Sequence, residues 1–164
     1  MKTLILIRHA KSDWTNAASS DHDRVLNARG KKDAPDMAKR LRDKIEKLDL
    51  IVSSSAVRAL TTAEAFADEF DIKHKQIQVE PALYLADTDA FFNIIHSLDS
   101  KYKKIAIFSH NPGITEFANQ LTNVHIDDMP TCAMYAVRAD IKDWKDFRPE
   151  EKQFYFFDYP KLKD

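Results

Sequence analysis

The chain has 164 residues, of which 44% are hydrophobic and 31% are charged, so it is long and apolar enough to form a single domain over residues 1–164. Its formal net charge of −1 excludes the positive field over the whole surface that is typical of nucleic-acid-binding proteins, and no nucleic-acid partner is expected. Its two glycines, Gly30 and Gly113, lie far apart in the sequence, which excludes a P-loop and a Gly-x-Gly-x-x-Gly dinucleotide motif.

Short apolar runs alternate with longer amphipathic patterns over the first two thirds of the chain. The runs predict strands at 2–7, 49–53, 77–79 and 104–109, and the patterns predict helices at 28–48, 57–70, 87–98 and from Pro112 onward. This repeated β-α order predicts a three-layer α/β/α sandwich around a mainly parallel central sheet.

The first predicted helix carries two local signals. Asn27 belongs to the residue types that are favoured as N-caps, and apolar residues such as Met37 and Leu41 recur on one face of the helix. Pro35 falls inside the same pattern and is able to break or kink a helix, because it lacks the N–H that the helical hydrogen bond needs.

The pattern changes after Pro130. Residues 132–138 and 154–159 are rich in β-formers, and we expect two late strands there, one of which can run antiparallel. The single cysteine, Cys132, excludes an intramolecular disulfide and a zinc site with several cysteines. Because it lies in an apolar run, we expect a buried structural thiol.

The amino terminus has a run of only four strong apolar residues at 4–7, which is shorter than the apolar region of a signal peptide. No stretch of the sequence is long and apolar enough to span a bilayer. We therefore expect a soluble, cytoplasmic protein with no membrane partner.

Two predicted strands end in histidine. Arg8 and His9 follow the first strand, and Ser109 and His110 follow the fourth. Open α/β sheets bind ligands at the carboxyl ends of their strands, where both histidines are expected. Imidazole is a nucleophile at neutral pH, and guanidinium binds phosphate through a fixed fork of N–H donors. The pairing of arginine and histidine therefore indicates chemistry on a phosphoryl group.

Four ordered segments extend this observation. Residues 4–14 (LILIRHAKSDW) resemble the signature of the histidine phosphatase superfamily, in which a strand ends in Arg-His-Gly or Arg-His-Ala and the histidine is transiently phosphorylated. Residues 26–30 (LNARG), 53–63 (SSSAVRALTTA) and 109–111 (SHN) resemble three further motifs of that superfamily, in the same order. The resemblance implies a phosphoglycerate mutase-like fold.

Within the superfamily, the Arg-His-Ala-Lys-Ser start, the short length and the Asp-x-x-Arg-x-Leu-Asn segment at 21–27 are similar to the SixA-type phosphohistidine phosphatases. Phosphoglycerate mutases place a glutamate general acid in a Leu-x-Glu pattern after the third strand. Here that stretch reads Leu-Tyr-Leu at 83–85, and the nearby acids Glu80, Asp87 and Asp89 lie off the pattern. Whether one of these three residues supplies an acid is left open.

The resemblance also implies the roles of individual residues. His9 would be the nucleophile, and Arg8, Arg58 and His110 would surround the phosphoryl oxygens. Three further residues are candidates for phosphate or substrate contacts, although a loop arginine can face water and a serine can simply cap a turn: Ser12, Arg24 and Asn111. No metal or cofactor is expected, because arginines would supply the positive charge.

The remaining histidines, His22, His74, His96 and His125, lack such a context and are expected at the surface. The Asp-His-Asp sequence at 21–23 has the residue types of a metal site, but three successive side chains seldom converge on one ion.

Three functions are compatible with these motifs. The first is a phosphatase that acts on phosphohistidine in a protein partner, such as a histidine phosphotransfer domain. The second is a small-molecule phosphomonoesterase of the same superfamily. The third is a non-catalytic module that binds phosphorylated proteins, and a nucleophilic His9 counts against it because binding alone does not need one.

Overall fold

The computed structural model of the chain describes residues 1–14, 20–149 and 152–162. Within these residues, six strands form one sheet in the order β3-β2-β4-β1-β5-β6. The strands are β1 (Lys2–Arg8), β2 (Leu50–Ser53), β3 (Gln78–Val79), β4 (Lys104–Ser109), β5 (Met134–Ala139) and β6 (Gln153–Asp158). The first four run parallel, whereas β5 is antiparallel to both β1 and β6.

Helices pack on both faces of this sheet. Successive side chains of a strand point to opposite faces, so each buried strand provides an apolar surface to both layers of helices. Ile5 and Ile7 of β1 pack in the core beneath α1 (Ala28–Ile45) and α2 (Val57–Glu69). Leu4 and Leu6 pack on the other face, in the core formed with α3 (Thr88–His96) and α4 (Gly113–Ala118). The predicted three-layer α/β/α sandwich is confirmed.

The predictions for the first helix are confirmed in part. The Asn27 side chain accepts a hydrogen bond from the Gly30 backbone N–H at 2.9 Å, as expected for an N-cap. Pro35 does not interrupt α1, since it is exposed and the carbonyl that loses its donor belongs to Lys31, also exposed. The helix ends at 45 rather than 48 because Glu46 adopts a positive φ of 60°.

The two late strands are confirmed, with bounds that differ from the predicted ones by one or two residues. Cys132 is buried as predicted, but it precedes β5 because its φ of 61° is outside the strand region and its N–H donates to the carbonyl of His9. Among the described residues, no helix has both the length and the apolar character that crossing a membrane requires.

The two glycines serve close packing between helices and loops. A Cβ on Gly30, in the first turn of α1, would lie 2.1 Å from the carbonyl oxygen of Lys11. A Cβ on Gly113, the first residue of α4, would lie 2.0 Å from the carbonyl oxygen of Ala86. Neither distance is possible without a backbone shift, so both helices begin in direct contact with a loop.

Substituting Gly30→Ala is therefore expected to destabilise the fold by about 1–3 kcal/mol, the usual range for overpacking a tight contact. Urea denaturation followed by circular dichroism measures this difference. Lys31→Ala is the matched control, since Lys31 is exposed in the same helical turn and its loss should change stability by less than about 0.5 kcal/mol. An unchanged midpoint for Gly30→Ala would contradict the packing described above.

Candidate active site

The two histidine motifs meet because β1 and β4 are parallel neighbours. Arg8 pairs in register with Ser109, so the next residues, His9 and His110, leave the same edge of the sheet. Their imidazole rings are 5.1 Å apart between centroids and are tilted by 50°. Both residues are buried.

The ring of His9 is held in one tautomer. Its Nδ1 lies 2.7 Å from the carbonyl oxygen of Ala10, and because a carbonyl only accepts, the proton is on Nδ1. Nε2 therefore carries the lone pair, and it accepts a hydrogen bond from the Nε of Arg58 at 3.3 Å. Burial lowers the pKa of His9 to about 3, which keeps the ring neutral near pH 7.

His110 is held by Ser54, the second residue of the 53–63 segment. Its Nε2 lies 2.7 Å from the Ser54 hydroxyl oxygen, which itself accepts the Ala56 N–H at 3.2 Å. The Ser54 hydroxyl can donate its proton to Nε2, and in that tautomer His110 carries its own proton on Nδ1. That Nδ1 is buried without a hydrogen-bond partner in the described part of the chain. Burial lowers the pKa of His110 to about 3.

Arg58 lies in the first turn of α2 and is buried. Besides its contact with His9, it donates from Nη1 to the backbone carbonyl of Asp21 at 2.6 Å and from Nη2 to the Asp21 carboxylate at 3.1 Å. Thr62, one turn further along α2, donates to the Arg58 carbonyl and accepts the N–H of Ala10 at 3.0 Å. The helix is thereby fixed against the strand end that carries His9.

Arg8 reaches the pocket from the end of β1. Its Nη1 donates to the carbonyl of Met129 at 2.8 Å. Its Nε is buried and has no hydrogen-bond partner among the described residues. Buried polar groups are normally paired, so this Nε and the His110 Nδ1 are both donors that a bound anion could satisfy.

The three less certain residues also reach this region. Arg24 donates to the Ser12 hydroxyl at 2.7 Å, and its guanidinium lies 3.4 Å from the centroid of the Trp14 ring. Asn111 donates through its amide to Asp128 and to the Met129 carbonyl. Both amide hydrogens are engaged, so a direct contact between Asn111 and phosphate requires one of these bonds to open.

All seven predicted site residues line one pocket of about 280 Å³. Sequence reasoning missed the other five lining residues, which are Lys11, Trp14, Asp21, Leu85 and Thr131. Trp14 and Leu85 are exposed apolar side chains, and Leu85 has a positive φ of 59°. The pocket thus combines a cationic interior with apolar groups.

Asp21 is the main omission, together with its partner Tyr84. The Asp21 carboxylate accepts from Arg24 at 3.0 Å, from Arg58 at 3.1 Å and from the Tyr84 hydroxyl at 2.6 Å. The sequence feature that could have identified Asp21 as a site residue is its position three residues before Arg24, in the Asp-x-x-Arg segment. Among the described residues, no group of three or more histidine, cysteine, aspartate or glutamate side chains is arranged to hold a metal ion.

None of the three candidate acids lines the pocket. Asp87 is the N-cap of α3 and accepts the Ala90 N–H at 2.9 Å. Glu80 accepts from the Gln78 side chain. Asp89 lies in the first turn of α3.

Of the other four histidines, which were expected at the surface, His74 and His125 are exposed, and His22 and His96 are half-buried. His22 is half-buried, with its ring 5.0 Å from that of Tyr84 and its Nε2 2.9 Å from the Ser55 hydroxyl. His96 is half-buried and donates from Nε2 to the Phe147 carbonyl. Each of these two histidines contacts a residue that is distant in the sequence.

Comparison with known proteins gives the same family. The sequence model of branch 1 of the histidine phosphatase superfamily matches residues 4–84. An uncharacterized chloroplastic protein of Arabidopsis thaliana is 29% identical over 153 residues, which cover 88% of this chain and 70% of that protein. An uncharacterized protein of Mycobacterium leprae is 29% identical over 119 residues, 71% of each chain.

Solved structures share the fold over nearly the whole chain. A proposed phosphohistidine phosphatase SixA from Agrobacterium tumefaciens has a TM-score of 0.80 at 23% identity, covering 97% of this chain and 98% of that one. A protein histidine phosphatase SixA complexed with tungstate has a TM-score of 0.80 at 20% identity, covering 96% of each. A mycobacterial glucosyl-3-phosphoglycerate phosphatase has a TM-score of 0.75 at 13% identity, covering 98% and 100%.

The matched span carries both the strand end with Arg8 and His9 and the helix with Arg58. The remaining strands and helices continue the same fold as the SixA structures. Residues 4–84 therefore match the sequence model of the histidine phosphatase superfamily, and the chain has the fold of the SixA structures.

Proposed function

We propose that the protein is a phosphatase that hydrolyses phosphohistidine on a protein partner, through a phosphohistidine intermediate on His9. One observation carries the proposal. The tautomer fixed through Ala10 leaves the Nε2 of His9 unprotonated, and the hydrogen bond that Nε2 accepts from Arg58 opens when Nε2 attacks phosphorus. A neutral, oriented imidazole among phosphate-binding side chains is what nucleophilic attack on phosphorus requires.

In the first step, Nε2 of His9 forms a bond to phosphorus and the bond from phosphorus to the leaving group breaks. The leaving group keeps the electron pair of that bond. The Nδ1 proton stays on the hydrogen bond to Ala10, so the positive charge that develops on the phosphorylated ring is stabilised by a carbonyl dipole.

The phosphoryl oxygens would be stabilised by Arg8, Arg58 and His110. The two unpartnered buried donors, Nε of Arg8 and Nδ1 of His110, support this role because each gains a hydrogen bond when an anion binds. Preorganised donors of this kind supply most of the catalysis in phosphoryl transfer.

In the second step, water attacks phosphorus and the bond to His9 breaks. The electron pair returns to Nε2, which restores the neutral ring, and the proton released by water leaves with the phosphate or to solvent. Ser12, Arg24 and Asn111 would contact the phosphate or substrate at the pocket wall. The proposed cycle uses side chains of this chain alone and needs no metal ion or cofactor.

The choice of a phosphohistidine substrate rests on the leaving group. No carboxylate from Glu80, Asp87 or Asp89 lines the pocket to protonate a departing alkoxide. An imidazole ring leaves phosphorus more easily than an alkoxide, so the lack of these three carboxylates in the described pocket lining favours a phosphoramidate. The SixA structure named as a protein histidine phosphatase has the same fold, which supports a phosphorylated protein, such as a histidine phosphotransfer domain, as partner.

A small-molecule phosphatase is the second candidate. The fold is shared with a structure named as a glucosyl-3-phosphoglycerate phosphatase, so the fold by itself accommodates small substrates. A side-by-side turnover assay separates the two candidates, using a phosphohistidine protein, free phosphohistidine and a panel of sugar phosphates. Preference for a sugar phosphate would replace the main proposal, and binding of the phosphoprotein without turnover would indicate a non-catalytic module.

We expect His9→Ala to abolish turnover, because the Nε2 of the second imidazole in the described pocket, His110, is held by Ser54. Wild-type enzyme quenched during turnover should carry phosphate on His9 that is stable in alkali and labile in acid, as phosphoramidates are. Mass spectrometry of the alkali-quenched protein measures this. A phosphate found on serine, or full activity in His9→Ala, would contradict the mechanism.

Arg58→Ala should lower kcat by about 100-fold or more, the typical cost of losing one preorganised donor to a developing charge. Steady-state kinetics with the preferred substrate measures this loss. Arg42→Ala is the matched control, since Arg42 contacts Glu69 on the surface and should leave kcat unchanged. A rate near the wild-type value for Arg58→Ala would remove this residue from the catalytic group.

The buried histidines should resist protonation. Burial holds the pKa of His9 and of His110 at about 3, whereas the hydrogen bond to Asp68 raises the pKa of the exposed His74. At about pH 5.5, one unit below the ordinary value for histidine, both active-site rings should therefore be neutral while His74 is charged. Nitrogen-15 NMR titration of the imidazoles measures this directly, and a midpoint near 6.5 for His9 would contradict it.

A further inference from the structure

Asp21 places one negative charge in a pocket whose other charged lining residues are cations. Within the described part of the chain its carboxylate accepts three hydrogen bonds, from Arg24 on Oδ1 and from Arg58 and Tyr84 on Oδ2. A carboxylate has about four acceptor positions, so these contacts leave room for one more donor. The side chain is 45% exposed, so a ligand can reach it.

The state of this carboxylate is fixed by its neighbours. The Tyr84 hydroxyl and the guanidinium groups of Arg58 and Arg24 lower the pKa of Asp21 to about 2. It is ionised near neutral pH and can accept a proton in a hydrogen bond but has none to give. Asp21 is therefore unsuited to act as a general acid.

An anion beside a phosphate site weakens phosphate binding, since like charges repel. Toward the substrate, the carboxylate has a role only if the substrate brings a complementary donor. A simple alkyl phosphate offers none, and a sugar phosphate offers only neutral hydroxyl groups. The imidazole ring of phosphohistidine offers a charged donor, because protonation of its second nitrogen gives an N–H and a positive charge on the leaving group.

We propose that Asp21 determines specificity by accepting this N–H, so that the substrate binds with its imidazole ring in the protonated form. The inference rests on the proposed phosphohistidine phosphatase function and adds how the leaving group is recognised. His9 Nε2 then bonds to phosphorus, and the bond from phosphorus to the substrate nitrogen breaks with its electron pair moving to that nitrogen. The N–H on the second nitrogen is retained, so the product is a neutral imidazole and no acid is needed.

The position of Asp21 relative to the nucleophile suits this role. One guanidinium contacts both groups, with Arg58 Nε 3.3 Å from His9 Nε2 and Arg58 Nη2 3.1 Å from Asp21 Oδ2. The carboxylate and the nucleophile are thus separated by the width of one guanidinium and two hydrogen bonds. A phosphoryl group carrying one five-membered ring is the kind of substrate that would reach from His9 to Asp21.

The test compares Asp21→Asn with wild type on two substrates, free phosphohistidine and p-nitrophenyl phosphate. The second has a good leaving group without an N–H. Asp21→Asn should lower kcat/KM for phosphohistidine by about 10- to 100-fold, the scale of losing a hydrogen bond to a charged group, and change that for p-nitrophenyl phosphate by less than about 3-fold. Asp23→Asn, two residues away, exposed and outside the pocket lining, is the matched control and should behave like wild type.

Inhibition by inorganic phosphate gives a second measurement. Removing the negative charge should strengthen this inhibition, whereas loss of a group that merely positions Arg58 should weaken it. Equal losses on both substrates, or weaker phosphate inhibition, would overturn the inference and make Asp21 a positioning residue. Unchanged kinetics on both substrates would also overturn it. Failure of the wild-type enzyme on phosphohistidine, with activity on the aryl phosphate, would instead refute the proposed function on which it rests.

Discussion

The hydrogen bond from Arg58 Nε to His9 Nε2 joins the first turn of α2 to the end of β1, and the pocket surrounds this bond. The remainder of the guanidinium is occupied by the backbone and side chain of Asp21. Because a guanidinium is planar and rigid, the hydrogen bond from its Nη1 to the backbone carbonyl of Asp21 also fixes the direction of Nε toward His9. Thr62 completes this arrangement by linking the Arg58 carbonyl to the peptide that follows His9.

In the proposed mechanism, the positive charge and the nucleophile belong to different side chains. Both active-site imidazoles are neutral because they are buried, and the positive charge resides on guanidinium groups, which keep their protons. A histidine that was itself the cation would attract phosphate but could not attack it. Burial thus keeps the two imidazole rings neutral, while three arginines supply the positive charge of the same pocket.

The loops that line this pocket are held by the starts of two helices. Gly30 lets α1 approach the carbonyl of Lys11, and Lys11 and Ser12 line the pocket. Gly113 lets α4 approach the carbonyl of Ala86, next to the pocket residue Leu85. Tight packing of this kind resists deformation, because close-packed interiors have low compressibility. The chain thereby positions the pocket side chains on loops without a glycine-rich phosphate loop.

Much of this protein could be predicted from local sequence. Apolar runs of a few residues located the strands, since a strand buried on both faces needs an apolar residue at every position. The ordered motifs identified Arg8, His9, Arg58 and His110, and the parallel order of β1 and β4 brought their strand ends to one edge. The fold class and seven of the twelve residues that line the described pocket followed from these patterns.

Only the tertiary structure decided the contacts made across long stretches of chain. Asp21 meets Arg58 and Tyr84 although 37 and 63 positions separate them, and no periodicity of a helix or strand encodes such a pairing. The partial burial of His22 and His96 also depends on contacts with residues that are distant in the sequence. The uninterrupted helix at Pro35 depends on which side of α1 faces water. Sequence patterns report local periodicity and residue type, whereas partner choice between distant side chains is set by packing.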